Sequence, residues 1–252
     1  SSDVCSSDLK NVQIVGESAE GTIITYDDHA NINKMGTFRT YTVKVEGSGI
    51  TFKNLTIENN AAQLGQAVAL HTEGDKLIFI GCRFLGNQDT IYTGAEGTRL
   101  LFSHCYIEGT TDFIFGPSTA LFEYCTIHSK RNSYITAAST PKDVEYGYVF
   151  KNCKLTAADG VDKVYLGRPW RPYAATAFIN CEMGKHICAP GWENWRNPEN
   201  EKTARYAEFD NRGEGSSLAG RVNWSHKLTK KEALKYTIEN IFKNCSDWYP
   251  FK

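Results

Sequence analysis

A short pattern of hydrophobic and polar positions recurs six times along this chain. Each copy has a Phe, two variable residues, a small or apolar residue, one more variable residue and a final apolar residue. Alternation of this kind over so few positions is typical of a short β-strand. The copies are FKNLTI (52–57), FIGCRF (79–84), FSHCYI (102–107), FEYCTI (122–127), FKNCKL (150–155) and FINCEM (178–183).

The spacing of the copies favours stacked strands over paired helices. Their fourth positions lie 20 to 28 residues apart, whereas helical hairpin repeats keep a fixed length. Asn, Gly, Asp and Thr cluster between the copies, as turns require. The sequence therefore predicts an all-β protein, a parallel β-helix in which each coil stacks on the next. Five of the fourth positions are cysteines, which we expect to form a buried column of small apolar groups: Cys82, Cys105, Cys125, Cys153 and Cys181.

The segments on either side of these copies extend the same architecture. Residues 11–18, 21–26, 41–45 and 67–70 carry strand patterns, and residues 27–38 are polar and typical of a loop. After residue 184, Pro-rich and Trp-rich sequence predicts long loops over the coils, followed by strands at 205–209 and 221–225. Thr229 and Glu232 form a capping-box pattern ahead of helically spaced apolar residues, which predicts a terminal helix that shields the open end of the stack.

Charge and composition limit which classes of partner and which targeting segments the sequence predicts. The 252 residues carry a net charge of −1, so no polybasic field favours nucleic acid or anionic lipid. The sequence contains no run of 18 or more apolar residues, so it predicts no membrane-spanning segment. The first residues, SSDVCSSDL, lack the pattern of a signal peptide, and we interpret residues 1–9 as a non-native or truncated segment ahead of one domain, 10–252. The cysteines and histidines show no metal-ligand spacing, so we expect no zinc site.

Two aspartates occupy the same offset in neighbouring copies of the pattern. Asp89 and Asp112 each lie seven residues after a cysteine. In stacked parallel strands they would be about 5 Å apart, and two carboxyl groups that close share one proton near neutral pH. Such a pair can attack an ester or a glycosidic carbon, although each aspartate could also simply fix a turn. Gln88 and Gln66 would supply amide donors for an oxyanion.

Six blocks of the sequence resemble a known family, the pectin methylesterases, also called pectinesterases (carbohydrate esterase family 8). The blocks are GQAVAL (65–70), GNQDTIYTG (86–94), GTTDFIFG (109–116), YITAAST (134–140), YLGRPWRPYA (165–174) and GWENW (191–195). They lie in family order, and their style is closer to a bacterial than to a plant member. The resemblance implies a right-handed, single-stranded parallel β-helix with a C-terminal helix and long loops over a groove. It also implies that the family's usual N-terminal strand and helix are missing, leaving the first coil incomplete.

The resemblance also implies a function and assigns roles. The expected reaction is hydrolysis of the methyl esters of homogalacturonan to pectate and methanol, without metal or cofactor. Asp112 would be the nucleophile that forms an acyl-enzyme, and Asp89 would be the acid and then the base. Gln66 and Gln88 would stabilise the oxyanion, and Arg168 would hold Asp112 ionised. The aromatic residues expected to line the groove are Trp170, Tyr92, Phe113, Trp192, Trp195 and Phe38.

Two other functions stay open at this stage. One is another β-helical pectin enzyme, either a polygalacturonase or a lyase. A lyase would need an acidic Ca²⁺ site, and an inverting glycosidase needs its carboxyl groups about 6.5 to 9.5 Å apart. The other is a non-catalytic carbohydrate-binding β-helix. In each case the partner is a polysaccharide, with neither nucleic acid nor membrane, and we expect an exported monomer, secreted or periplasmic.

Overall fold

Three parallel sheets run the length of the protein in the computed structural model, which describes residues 11–251. The first sheet contains β1 (Gln13–Val15), β4 (Thr51–Lys53), β7 (Leu77–Ile80), β10 (Arg99–Ser103), β13 (Thr119–Glu123), β16 (Tyr148–Lys151), β19 (Ala175–Ile179), β21 (Arg205–Phe209) and β22 (His226–Lys227). The second contains β2 (Ile23–Tyr26), β5 (Thr56–Asn59), β8 (Arg83–Leu85), β11 (Tyr106–Gly109), β14 (Thr126–Ser129), β17 (Lys154–Ala157) and β20 (Glu182–Met183). The third contains β3 (Val43–Val45), β6 (Leu70–Thr72), β9 (Ile91–Thr93), β12 (Ile114–Gly116), β15 (Tyr134–Ala138) and β18 (Tyr165–Gly167).

The chain passes through the three sheets in turn, so each circuit is one coil of a parallel β-helix. Every strand pairs in parallel with its counterpart in the next coil, as in β10 with β13 and β12 with β15. The predicted fold class is therefore confirmed. The proposed foreign segment 1–9 and Cys5 lie outside the described residues.

The recurring pattern builds the corner between the first and second sheets. The side chain of its Phe points into the interior of the stack, its third residue turns the chain, and the side chain of its fourth residue points inward again. The third residue has a positive φ in every copy, a conformation that Asn and Gly adopt most readily. These corner residues are Asn54, Gly81, His104, Tyr124, Asn152 and Asn180, with φ between 51° and 61°.

Like residues stack on like residues inside the coils. The six Phe rings form one ladder with centroids 4.4 to 5.2 Å apart and planes within 17° of parallel. The five predicted cysteines form a second buried column, as expected, and their thiols donate to backbone carbonyls such as that of Phe102. Because burying one Phe side chain contributes roughly 1.5–3 kcal/mol, the ladder is a main source of stability.

The C-terminal segment differs from the prediction of one terminal helix. It forms two short helices, α1 (Lys230–Ala233) and α2 (Ile238–Phe242), and the predicted capping box is present at the start of α1. The chain breaks between them because Thr237 is extended and caps α2. The helices cover the outer face of the first sheet, not the end of the stack, since that face carries apolar residues such as Leu101 and Leu121 that Phe242 buries.

Strand boundaries were predicted less well than strand existence. The strand predicted at 221–225 is wrong: these residues form turns, and the strand follows at β22. Trp224 instead packs against Tyr206 near the C-terminal end of the core. Loop 27–38 contains 3₁₀ turns at Ile32–Lys34 and Thr37–Arg39, and two more occur at Pro198–Lys202 and Glu214–Ser216.

Candidate active site

The two predicted carboxyl groups lie near each other where strands of the third sheet begin. Asp89 and Asp112 each precede their strand by two residues, and the paired register of Ile91 with Ile114 places them on adjacent rungs. Both have positive φ, 69° and 48°, which a short polar side chain tolerates. The amide of Asp89 donates to the carbonyl of Thr111 at 3.1 Å, so the turns stack as the strands do.

Arg168 binds one aspartate of the pair through two nitrogens of its guanidinium. Its Nε lies 3.0 Å from Oδ1 of Asp112 and its Nη2 lies 2.6 Å from Oδ2. Two parallel charge-assisted hydrogen bonds fix both the orientation and the charge of a carboxylate. Arg168 follows β18, and its own amide donates to the carbonyl of Thr136. The expected pairing of Arg168 with the proposed nucleophile is thus present in the geometry.

The two carboxyl groups have different electrostatic surroundings. Burial raises the pKa of Asp89 well above its ordinary value, and the negative charge of Asp112 raises it further. Burial also raises the pKa of Asp112, but the hydrogen bonds and the charge of Arg168 oppose that rise. Of the two carboxyl groups, Asp112 therefore has the surroundings that favour the anion more, because Arg168 opposes the effect of burial there.

Two aromatic rings hold the guanidinium from both sides. The central carbon of Arg168 lies 3.9 Å from the ring centroid of Tyr134 and 3.9 Å from that of Trp195. Stacking on both faces leaves the edge of the guanidinium directed at Asp112. Trp195, predicted from the sequence as a groove residue, is partly buried here against the aromatic floor of the groove.

The two glutamines lie beside the acid pair. Gln88 directly precedes Asp89, and its carbonyl accepts a hydrogen bond from the amide of Ala67, the residue after Gln66. Both glutamines are half-buried, and the backbone contact places them on adjacent rungs of the stack. Their role as oxyanion donors stays a prediction.

An aromatic cluster lies on β9 and β12, the strands that follow the two aspartates, and on the loops beside them. Tyr92 stacks on Phe115 at 4.7 Å and lies 4.8 Å from Phe38, which is 46% exposed. Trp170 closes the cluster, 5.8 Å from Phe115 and 6.4 Å from Phe38. Three predicted groove residues, Trp170, Tyr92 and Phe38, therefore lie together on one apolar surface of the kind that sugar rings contact.

Two other predicted groove residues lie elsewhere. Phe113 is fully buried inside the coils, and Trp192 is 1% exposed and stacks on Tyr206 at 4.2 Å. The expectation that they line the groove is wrong. Phe113 follows the turn at Asp112 and points inward, and Trp192 inserts into the C-terminal end of the core, where its indole donates to Glu208.

The sequence reasoning missed three residues of this site. Phe115 could have been found by alternation, because Ile114 points inward and its neighbour must point out. Tyr134 is in register with Asp112. It lies nine residues after Cys125 instead of seven, because the turn in its coil is longer, so a search at a constant offset does not find it. Glu193 gave no signal, because its carboxylate acts on backbone amides of its own loop.

The chemistry of this site comes from carboxyl, guanidinium and amide groups. Within residues 11–251 no group of three or more His, Cys, Asp or Glu is placed to hold a metal ion. The site contains one carboxyl group fixed by a guanidinium, a second carboxyl group whose pKa burial raises, and neighbouring amides. These groups fit a carboxylate nucleophile with an acid and base partner.

Comparison with known proteins identifies the family. The family profile described as Pectinesterase matches residues 4–245. The chain belongs to the pectinesterase family. Pectinesterase 31 of Arabidopsis thaliana is 41% identical over 233 residues, which cover 88% of this chain and 73% of that protein. Probable pectinesterase/pectinesterase inhibitor 64 of the same plant is 36% identical, and the match covers 95% of this chain but only 43% of that longer protein.

Solved structures of pectinesterases agree with the fold. Pectin methylesterase from carrot has a TM-score of 0.89 at 30% identity, covering 96% of this chain and 82% of that one. A pectin methylesterase in complex with a hexasaccharide has a TM-score of 0.80 at 27% identity, covering 96% and 86%. The two named plant relatives and the carrot enzyme are all at least 30% identical, so these matches do not favour a bacterial type over a plant type.

Proposed function

We propose that this chain hydrolyses the methyl esters of homogalacturonan, releasing methanol and leaving pectate. The observation that carries the proposal is the unequal carboxyl pair: Asp112 bound at both oxygens by Arg168, beside Asp89, whose pKa is raised by burial. Family membership supports the reaction class, ester hydrolysis. The hexasaccharide bound to a related pectin methylesterase supports a polysaccharide substrate.

The reaction begins at Asp112. One carboxylate oxygen attacks the ester carbonyl carbon, and the negative charge moves to the carbonyl oxygen, where the amides of Gln66 and Gln88 donate to it. The bond to the methoxy group then breaks, and Asp89 gives its proton to the departing oxygen, so methanol leaves. The products of this half-reaction are methanol and an acyl-enzyme on Asp112.

Water completes the cycle. Asp89, now a carboxylate, accepts a proton from the water that attacks the acyl carbon. The bond from that carbon to Asp112 breaks, Asp112 returns to its carboxylate form, and the polymer keeps a free carboxyl group. Arg168 stays bound to Asp112 throughout, which keeps the leaving carboxylate low in energy.

Binding and location follow from the same proposal. The cluster of Trp170, Tyr92 and Phe38 would receive the faces of galacturonate rings, and Trp195 would border the next position along the groove. We further propose that the chain acts outside the cytoplasm, secreted or periplasmic, because methylated pectin is an extracellular polymer. It would act as a monomer and without a cofactor. None of the helices described within residues 11–251 is long and apolar enough to cross a membrane.

An end-product analysis separates this function from its alternatives. Highly methylated pectin is incubated with the chain, and methanol, new reducing ends and unsaturated products are measured together. An esterase releases methanol with no change in polymer length. New reducing ends without methanol would indicate a glycosidase, unsaturated ends would indicate a lyase, and no product from folded protein would indicate binding alone.

A further inference from the structure

A tight turn next to the catalytic arginine is held by one glutamate. The amides of Trp195 and Arg196 both donate to Glu193, to Oε2 at 2.9 Å and to Oε1 at 3.1 Å. Both of these donors have positive φ, 60° and 55°, a conformation that non-glycine residues rarely adopt. Two successive amides in such a turn form a concave anion site, and here the anion is the side chain of Glu193 itself.

Contacts before and within this turn anchor it. Before it, Trp192 is buried in the core, and the amide of Glu193 donates to the carbonyl of Gly167, directly before Arg168. Within it, the side chain of Asn194 donates to Glu201 at 2.8 Å and its carbonyl accepts from Asn200 at 3.0 Å. These contacts fix where the turn begins, and the bonds from Glu193 to the amides of Trp195 and Arg196 set the direction in which it projects Trp195.

That direction decides how the guanidinium is held. Trp195 covers one face of Arg168 at 3.9 Å, opposite Tyr134. Removing the cover would let the guanidinium tilt, and a fork that binds Asp112 at both oxygens requires one plane. We propose that Glu193 is a positioning residue for the reaction: by holding its turn it keeps Trp195 on Arg168 and so fixes Asp112. This inference rests on the function proposed above.

The charge of Glu193 has an opposite effect, which makes the inference testable. The charged and titratable groups that interact with Asp112 are Asp89, Arg168, Glu193, Tyr134 and Tyr206. The negative charge of Glu193 by itself raises the pKa of Asp112, but burial and the contacts with Arg168 are stronger influences. Loss of the charge alone would move the acidic limb of the activity profile to lower pH. Loss of the arginine clamp would move it to higher pH.

The test compares Glu193→Ala and Glu193→Gln with the wild type and with Glu199→Gln. Glu199 lies in the same loop, but its carboxylate is exposed and pairs with Lys202, so its variant is the matched control. We expect Glu193→Ala to lower kcat about tenfold or more and to move the acidic limb of kcat/KM to higher pH. Glu193→Gln, which keeps one acceptor oxygen, should fall between Glu193→Ala and the control.

A second readout needs no substrate. Exchange of the Nε–H proton of Arg168, followed by ¹⁵N NMR, should be slow in the wild type and in Glu199→Gln, and faster in Glu193→Ala. If Glu193→Ala does not fold, the Gln variant decides both measurements. The inference would be overturned if Glu193→Ala left both kcat and the acidic limb of kcat/KM unchanged, or if it moved that limb to lower pH. Slow Arg168 exchange in a wild type that releases no methanol would overturn the proposed function alone.

Discussion

The pairing of Arg168 with Asp112 gives the most quantitative prediction. Arg168→Lys keeps a positive charge but replaces a two-pronged, stacked guanidinium with one ammonium group. At least one of the hydrogen bonds, at 3.0 and 2.6 Å, is then lost. A hydrogen bond to a charged group contributes about 1.5–3 kcal/mol, so kcat/KM should fall roughly 10- to 150-fold.

Arg168→Ala should be more severe. It leaves Asp112, whose side chain is 7% exposed, as an uncompensated buried charge. Removing one partner of a buried pair costs about 3–5 kcal/mol, equivalent to roughly 150- to 5,000-fold in kcat/KM if the cost falls on the active form. Without Arg168 the pKa of Asp112 rises, so the acidic limb should move to higher pH.

The assay is methanol release from methylated pectin across pH, with thermal unfolding measured in parallel. Arg212 is the control, because it also pairs with a carboxylate, that of Glu182 at 3.4 Å, but is 71% exposed. Arg212→Lys and Arg212→Ala should change kcat/KM less than twofold, in line with the weak effect of surface ion pairs. Arg168→Ala with more than a third of wild-type kcat/KM and an unmoved acidic limb would refute the reasoning.

Three further predictions concern the acid, the core and the response to pH. Asp89→Asn should lower kcat about 10²- to 10⁴-fold in the methanol assay, because an amide cannot give its proton to methoxide; near-normal turnover would reject Asp89 as the acid. Phe150→Ala should lower the free energy of unfolding by about 3–5 kcal/mol in urea, against less than about 0.5 kcal/mol for exposed Leu234→Ala. Burial, helped by the charge of His128, lowers the pKa of His186 to about 4, whereas unfolded histidine titrates near 6.5. The unfolded chain therefore takes up the proton first, so stability should decline as pH falls from about 6.5 to about 4, and His186→Gln should reduce that decline.

Repetition made most of the fold predictable. The Phe and Cys positions follow directly from the sequence pattern, because a stacked coil must place like residues on like residues in its interior. The paired positions of Asp89 and Asp112 were predictable for the same reason, since their coils have equal lengths between the cysteine and the aspartate. The chemistry of the site was thus encoded at short range within each repeat.

The parts that escaped prediction depend on contacts between distant segments. The position of α1 and α2 on the first sheet depends on apolar residues such as Leu101, on the outer face of strands more than 100 residues earlier. Periodicity also could not separate Trp192, which fills the core, from Trp195, which covers Arg168, because both lie in one aromatic loop. Glu193 acts through backbone geometry that no residue pattern records.

Methanol release by Asp112→Asn tests the central claim most directly. Asparagine tolerates the positive φ of this position, so the fold should be kept, while the nucleophile is lost. Asp210→Asn is the matched control, because Asp210 has the same φ of 48° at an exposed corner of the stack. The account predicts normal release by the wild type and Asp210→Asn and a loss of at least about 10³-fold for Asp112→Asn, the scale of removing a carboxylate nucleophile. Comparable methanol release by all three proteins would contradict it.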